Sequence, residues 1–493
     1  MALRFPYRTQ RGSITLLLML FLLAVLGFAG LRLLERPSNM ELSQSQAQLR
    51  LQMARDRVVQ HLMEQSPEFG RLSDYPDVRG ADGNYDGMAQ TGCLYADYVN
   101  GNPLQNFALQ GANLRCLGRL PWRQWGVDGL GGSEADLAGQ VPWLAVSNQL
   151  IAPNNCVLNR TPLIVAEAYE RPAACPATVP AALPMPWITL HDSLGRLSSN
   201  QIAFLLVLPG RSLGVQSREE IVPLPALPVG VNEMRPYLDS LTVNTTNPDA
   251  NPGTFDNADQ LLLTQPMRFI AGLVQTEGGD RLATYNQPMV FNDRVLAVSA
   301  DQLFGLMEKR AYEILSRALT LYRQVNGHYP WAATLGTGTL GDTTTLNPVL
   351  NQRWGWAPYN ELVTFLNARD TALRQSLERI AAAGWLHYFY YAVGQQCTPS
   401  SPGCAGGIVL DGHPQAVNAV LISPGRAIVA APFFAVSKSA PQDRLLAANA
   451  LSADWRDYLD GTAAAVTDPA AGQYPSPGAT HSANYNDRVY PLP

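Results

Sequence analysis

A chain of 493 residues is too long for one ordinary hydrophobic core and predicts two or three domains. At 46% hydrophobic residues it is not a disordered chain, and 15% charged residues with a net charge of -5 give no electrostatic reason to expect nucleic acid as a partner. The 40 glycines and 37 prolines argue for a turn-rich fold and against a helical bundle.

The first predicted element is apolar. From Ser13 to Leu31 no residue is charged, and a helix rising about 1.5 Å per residue would just cross a hydrocarbon layer of about 30 Å over that run. A transmembrane helix is therefore expected over 13–34. Arg4, Arg8 and Arg11 precede it without an acidic residue, so the positive-inside bias leaves the N-terminus in the cytoplasm and exports the rest. A cleaved secretory signal is the rival, opposed by the length of the run and by the lack of a small-x-small site closing it. After Pro37, Ser38 or Asn39 can cap a second helix running to about Gln65. Leu42, Leu49, Met53, Val59, Leu62 and Met63 are its predicted apolar stripe, which needs a partner surface.

Gln10-Arg11-Gly12-Ser13-Ile14-Thr15-Leu16 resembles the leader junction of type IV pilins and type II secretion pseudopilins. Members of that family have a short basic leader ending in Gly, then an apolar helix with an amphipathic continuation packed on a β-rich head. The resemblance implies a leader over 1–12, cut between Gly12 and Ser13 by a prepilin peptidase. It also implies packing against other pilin subunits through the N-terminal helix, and a bacterial inner-membrane location with the heads in the periplasm, then at the fibre or cell surface. Leu17 departs from the pattern, because the fifth mature position is usually Glu. Certain tip pseudopilins share that departure, so the resemblance implies a tip or accessory place.

Further along, the chain matches itself. Gln48-Leu49, Met53 and Tyr75-Pro76 recur without a gap as Gln302-Leu303, Met307 and Tyr329-Pro330. Ala145-Val146 matches Ala392-Val393, Leu208-Pro209-Gly210-Arg211 matches Ser423-Pro424-Gly425-Arg426, and Tyr237-Leu238-Asp239 matches Tyr458-Leu459-Asp460. Phe291-Asn292-Asp293-Arg294-Val295 matches Tyr485-Asn486-Asp487-Arg488-Val489. The order is kept throughout. Two modules are expected, over 35–298 and 299–493. The helix of the second is expected over about 301–325, and strands such as Ile202–Leu208 and Ala416–Ile422 should end at Pro-Gly turns. The predicted fold class is α+β: a transmembrane helix continuing into an amphipathic one, then two duplicated pilin-like modules of helix plus antiparallel sheet.

The six cysteines, Cys93, Cys116, Cys156, Cys175, Cys397 and Cys404, all follow the apolar run. In an exported chain they read as disulfides, and nearest-neighbour pairing, Cys93–Cys116, Cys156–Cys175 and Cys397–Cys404, is one of about fifteen connectivities. Free thiols are the alternative. Asp82, Asn84 and Asp86 match the first half of a calcium loop, but the terminal Glu is replaced by Cys93, and such residues also form ordinary turns. Calcium is thus the one cofactor that the sequence suggests. Gly336–Gly341 fits G-x-G-x-x-G literally but lacks the flanking strand and helix that a nucleotide fingerprint needs. His191-Asp192 and His413 read as surface groups and not as parts of a triad. With no catalytic constellation, the expected protein is a non-catalytic minor pilin or pseudopilin. The alternative is a membrane-anchored periplasmic binding or enzymatic protein that does not enter a fibre.

Overall fold

A computed structural model describes residues 47–66, 69–72, 76, 88, 116–126, 141–147, 150, 168–170, 182–184, 187–192, 196–209, 238, 240–243, 253–257, 267–271, 293–336, 342–404, 406–411, 416–425, 473–474 and 487–492. The chain divides into two compact units, Met1–Met53 and Ala54–Pro493. Helix α1 covers residues 47–60, and a π-turn continues it over His61–Gln65.

The strands of the first half are β1 (Cys116–Arg119), β2 (Trp143–Val146), β3 (Ala168–Glu170), β4 (Ala182–Pro184), β5 (Ile188–His191), β6 (Leu197–Leu208), β7 (Ser240–Val243), β8 (Gly253–Asp256), β9 (Arg268–Ile270) and β10 (Arg294–Ser299). Six of them form one sheet in the order β1-β2-β6-β5-β9, with β10 also paired to β6. The strands β3 and β4, and β7 and β8, form two separate hairpins. At Ile202, β6 has partners on both sides, Ser299 of β10 and Ile188 of β5. Its polar start, Leu197–Gln201, gives way to the continuous apolar run Ile202–Leu208, every residue of which is buried. A run of that kind belongs to a strand covered on both faces. One face gathers Leu117, Trp143, Ala145, Leu205 and Val207 around Phe269 and Met267. Leu144, Phe204 and Leu206, which alternate with them, are buried on the other face. Each such side chain contributes about 1.5–3 kcal/mol by leaving water.

β10 ends at Ser299, which is also the N-cap of helix α2 (Ala300–Asn326). The Ser299 hydroxyl accepts from the Gln302 N–H at 3.1 Å, and the Gln302 side-chain oxygen accepts from the Ser299 N–H at 3.1 Å, a reciprocal capping box. Gly327, at φ 76°, closes the other end by donating to the Arg323 carbonyl at 2.7 Å. The buried stripe Leu303, Phe304, Met307, Ala311, Ile314, Leu315, Ala318, Leu319 and Tyr322 has helical spacing. It is shared, because α2 packs on β6 and β10 and also on the second sheet.

That second half adds β11 (Trp354–Trp356), α3 (Tyr359–Asn367), α4 (Thr371–Ala382), β12 (Tyr390–Val393), β13 (Val409–Leu410), β14 (Ala419–Ser423), β15 (Gln473–Tyr474) and β16 (Arg488–Leu492). Its main sheet has the order β11-β12-β14-β16, antiparallel throughout.

The two sheets share a register. Trp143–Val146 of β2 lie opposite Val207–Phe204 of β6, as Tyr390–Val393 of β12 lie opposite Ile422–Ala419 of β14. Arg294 lies opposite Leu208, as Arg488 lies opposite Ser423. At the far edge Gly118 faces Leu144, and Gly355 faces Tyr391. The cross-strand partners therefore follow the sequence matches residue for residue.

Three expectations need correction. The sheet architecture is mixed, not purely antiparallel: β9 joins β5 in parallel, and β13 joins β15 in parallel. Strand direction leaves no trace in the period-2 pattern, whereas a parallel partner needs only a long connection. The transmembrane helix is not found. Among the described residues there are four α-helices, none long and apolar enough to cross a membrane, and the run over 13–34 lies outside those residues. The longest, α2, carries Asp301, Glu308, Lys309, Arg310, Glu313, Arg317 and Arg323. Finally, the apolar stripe of α1 is rotated. Ala54, Val58 and Leu62 are buried, while Leu49 and Met53 are 56% and 39% exposed. Apolar residues occupy two faces of this helix, so periodicity alone could not choose between them.

Candidate functional site

The end of the first helix carries the most specific construction in the molecule. A helix C-terminus leaves carbonyls without intrahelical donors. Here the donor is Arg379 of α4, whose Nη1 donates to the Glu64 carbonyl at 2.7 Å and whose Nη2 donates to the Ser66 carbonyl. A cation at this end also suits the helix dipole. Burial lowers the Arg379 pKa from its ordinary value. Arg310 of α2 adds an ion pair to Glu64 at 3.3 Å.

Beyond the carbonyls, the chain turns at Gly70, where φ is 81°. A Cβ there would lie 1.8 Å from the Met307 methyl, so only glycine fits without displacing the Met307 side chain. Phe69 meets Trp385 edge-on at 5.9 Å, within a cluster that includes Phe304 and Tyr388. The same segment is tied to the first half by the Leu72 N–H donating to the Leu150 carbonyl at 2.8 Å and by His61 stacking on Trp125 at 4.4 Å. Both halves thus hold one short stretch, Glu64–Leu72.

A shallow open groove of about 680 Å³ lies along α2 and the α3–α4 corner, lined by Tyr312, Arg317, Thr320, Gln324, Arg369 and Asp370 among others. Each of its charged side chains is already engaged. Arg317 pairs with Asp370 at 3.0 Å, and Arg310 pairs with Glu313 at 3.5 Å. Arg369 lies over the Phe365 ring at 4.4 Å and donates to the Phe365 carbonyl at 3.1 Å. Asp370 also accepts from the Leu373 N–H as the cap of α4. Tyr312 is stacked on Tyr490 at 4.1 Å. Such a surface offers hydrogen bonds but no uncompensated charge to select a ligand.

Of the residues singled out from sequence, Gly12, Ser13, Asp82, Asn84, Asp86, Cys93, Cys156, Cys175 and His413 lie outside the described residues. Cys116 opens β1. Cys397 and Cys404 are joined by a disulfide. Among the described residues no group of three or more His, Cys, Asp or Glu side chains could hold a metal ion. In the glycine- and threonine-rich stretch, Asp342 accepts from the Thr344 N–H at 3.0 Å and starts a 3-10 turn, Thr343–Thr345. His191 is buried at the end of β5 and not on the surface, because its strand is internal to the first sheet. Asp192 pairs instead with Arg196 at 2.7 Å.

Sequence reasoning missed Arg379, Phe69, Gly70 and Trp385 as a group. Only Gly70, a glycine just past a helix, carried a local signal. A second missed residue is His387. It is 3% exposed, lies edge-on to Trp356 at 4.7 Å, and has no hydrogen-bond partner for either ring nitrogen among the described residues. Burial lowers its pKa to about 4, opposed by the nearby Asp342 carboxylate. No protein family, curated protein or solved structure matches this chain.

Proposed function

We propose that this chain is a minor pilin- or pseudopilin-like subunit, a non-catalytic assembly part of a type IV pilus-like or type II secretion fibre. The observation that carries the reading is the junction Gln10–Leu16, a basic leader ending in Gly12 immediately before an uncharged apolar run. A prepilin peptidase would cut between Gly12 and Ser13, and the subunit would join its neighbours through the segment that follows.

Two sheets in one register support a doubled head grown from one ancestral module. The Cys397–Cys404 disulfide suits an oxidising compartment outside the cytoplasm. Leu17 supplies no carboxylate to a neighbouring subunit, and a doubled head is too bulky for closely spaced repetition. Both favour one end of the fibre over its shaft.

The test is the mature N-terminus, read by mass spectrometry in cells with an active prepilin peptidase. Ser13 is the expected first residue, and Gly12→Arg should leave an unprocessed chain that does not assemble. Recovery of Met1 on the wild-type protein would sink the reading.

A further inference from the structure

We propose that the Glu64–Leu72 joint is a load-transfer latch, through which traction arriving at residues 54–60 passes into the α2–α4 layer so that both sheets bear it together. The proposal deepens the assembly reading and rests on it for its purpose. Its geometry stands by itself.

A helix cap that only satisfied carbonyls would need any one donor. Here a rigid guanidinium fork grips Glu64 and Ser66 at once, from an element more than 300 residues away in sequence. Behind the grip, Phe69 abuts Trp385 and Gly70 is closed upon by Met307, so the segment cannot slide past the layer without breaking side-chain packing. On the other side Leu72 is bonded to Leu150 and His61 is stacked on Trp125, which belong to the first half. A pull on the helix therefore meets contacts to both halves together.

The test is to stretch the isolated full-length chain between handles at its two termini in an optical trap. The wild-type unit is expected to open in one step. Arg379→Ala should add an earlier step that frees the chain as far as Leu72, a gain of roughly a few tens of ångströms. Its lifetime at constant force should fall about tenfold, the effect of losing charge-assisted hydrogen bonds. Arg379→Lys, which keeps the charge but not the planar fork, should fall between the two. Arg196→Ala, which removes an exposed ion pair to Asp192 that takes no part in the joint, should leave the trace unchanged.

If Arg379→Ala does not fold, Phe69→Leu serves in its place with the same early step expected. Wild-type chains that release the helix first, or latch variants whose traces match wild type, would overturn the proposal. Because the isolated chain is used, that outcome would leave the assembly reading standing. An intact latch on a chain that keeps Met1 in cells would remove the assembly reading alone.

Discussion

Arg488, the first residue of the last strand, donates to Glu308, which lies fully buried in the middle of α2. The two are 180 positions apart, so β16 brings a cation to a charge set deep in the central helix. The side chain of Arg488 is 37% exposed, so the pair is lopsided: the carboxylate depends on the arginine more than the reverse.

Arg488→Ala should therefore destabilise the protein by about 3 kcal/mol, since it removes the cation paired with a buried carboxylate. Glu308→Gln should cost less, because the amide keeps a hydrogen-bonding oxygen without the charge. The double variant Glu308→Leu with Arg488→Ala should recover part of the loss. Urea unfolding of the three variants checks the order, and equal losses for both single variants would contradict it.

His387 makes stability depend on pH in a defined window. Its folded pKa is about 4, below the ordinary 6.5, so the unfolded chain takes up the proton first. Stability from this group is complete above about pH 6.5 and falls as pH drops toward 4, by about 3 kcal/mol in all. His387→Phe should keep the contact with Trp356 and flatten the melting temperature across that interval. An unchanged slope would show that other groups carry the acid sensitivity.

Gly355 sits at φ 148°, and a Cβ there would lie 1.9 Å from the Ala333 carbonyl oxygen. Gly355→Ala should cost about 3 kcal/mol or abolish folding, because backbone cannot yield as a side chain can. Gly403→Ala, where a Cβ would meet nothing within 4 Å, should be nearly neutral. Comparable melting temperatures for the two would refute the close approach.

The Cys397–Cys404 bridge spans a separation of 7 residues and is tied to the end of α2, because the Tyr329 N–H donates to the Cys397 carbonyl at 2.9 Å. Replacing both cysteines by serine should lower stability by about 2 kcal/mol through chain entropy. Thiol labelling before and after reduction, read by peptide mapping, should show Cys397 and Cys404 appearing together. Labelling of either without reductant would contradict the bond.

Some of this architecture is legible before folding and some is not. Ser299 with Gln302 three places on, and Gly327 at the far end, mark the limits of α2 by local chemistry alone. Ile202–Leu208 reads as a strand covered on both faces because no polar residue interrupts it. The parallel union of β9 with β5 has no such signature, since direction is settled by where a long connection returns. The grip of Arg379 on Glu64 and Ser66 is equally silent: an arginine on a helix surface looks the same whether it meets water or a carbonyl. The match of Gly118 with Gly355 escaped notice because one glycine is too little to align.

The position of Arg488 also orders events during biogenesis. Synthesis runs from the N-terminus, so α2 is made long before the strand that carries Arg488. Until β16 pairs with β14, Glu308 lacks its Arg488 contact, and α2 lacks that tie to the second sheet. A chain without β16 would lack Arg488 and keep the Glu308 carboxylate. Docking of β16 is thereby a late condition for closing the core, and chains in which it cannot pair should stay open to proteases.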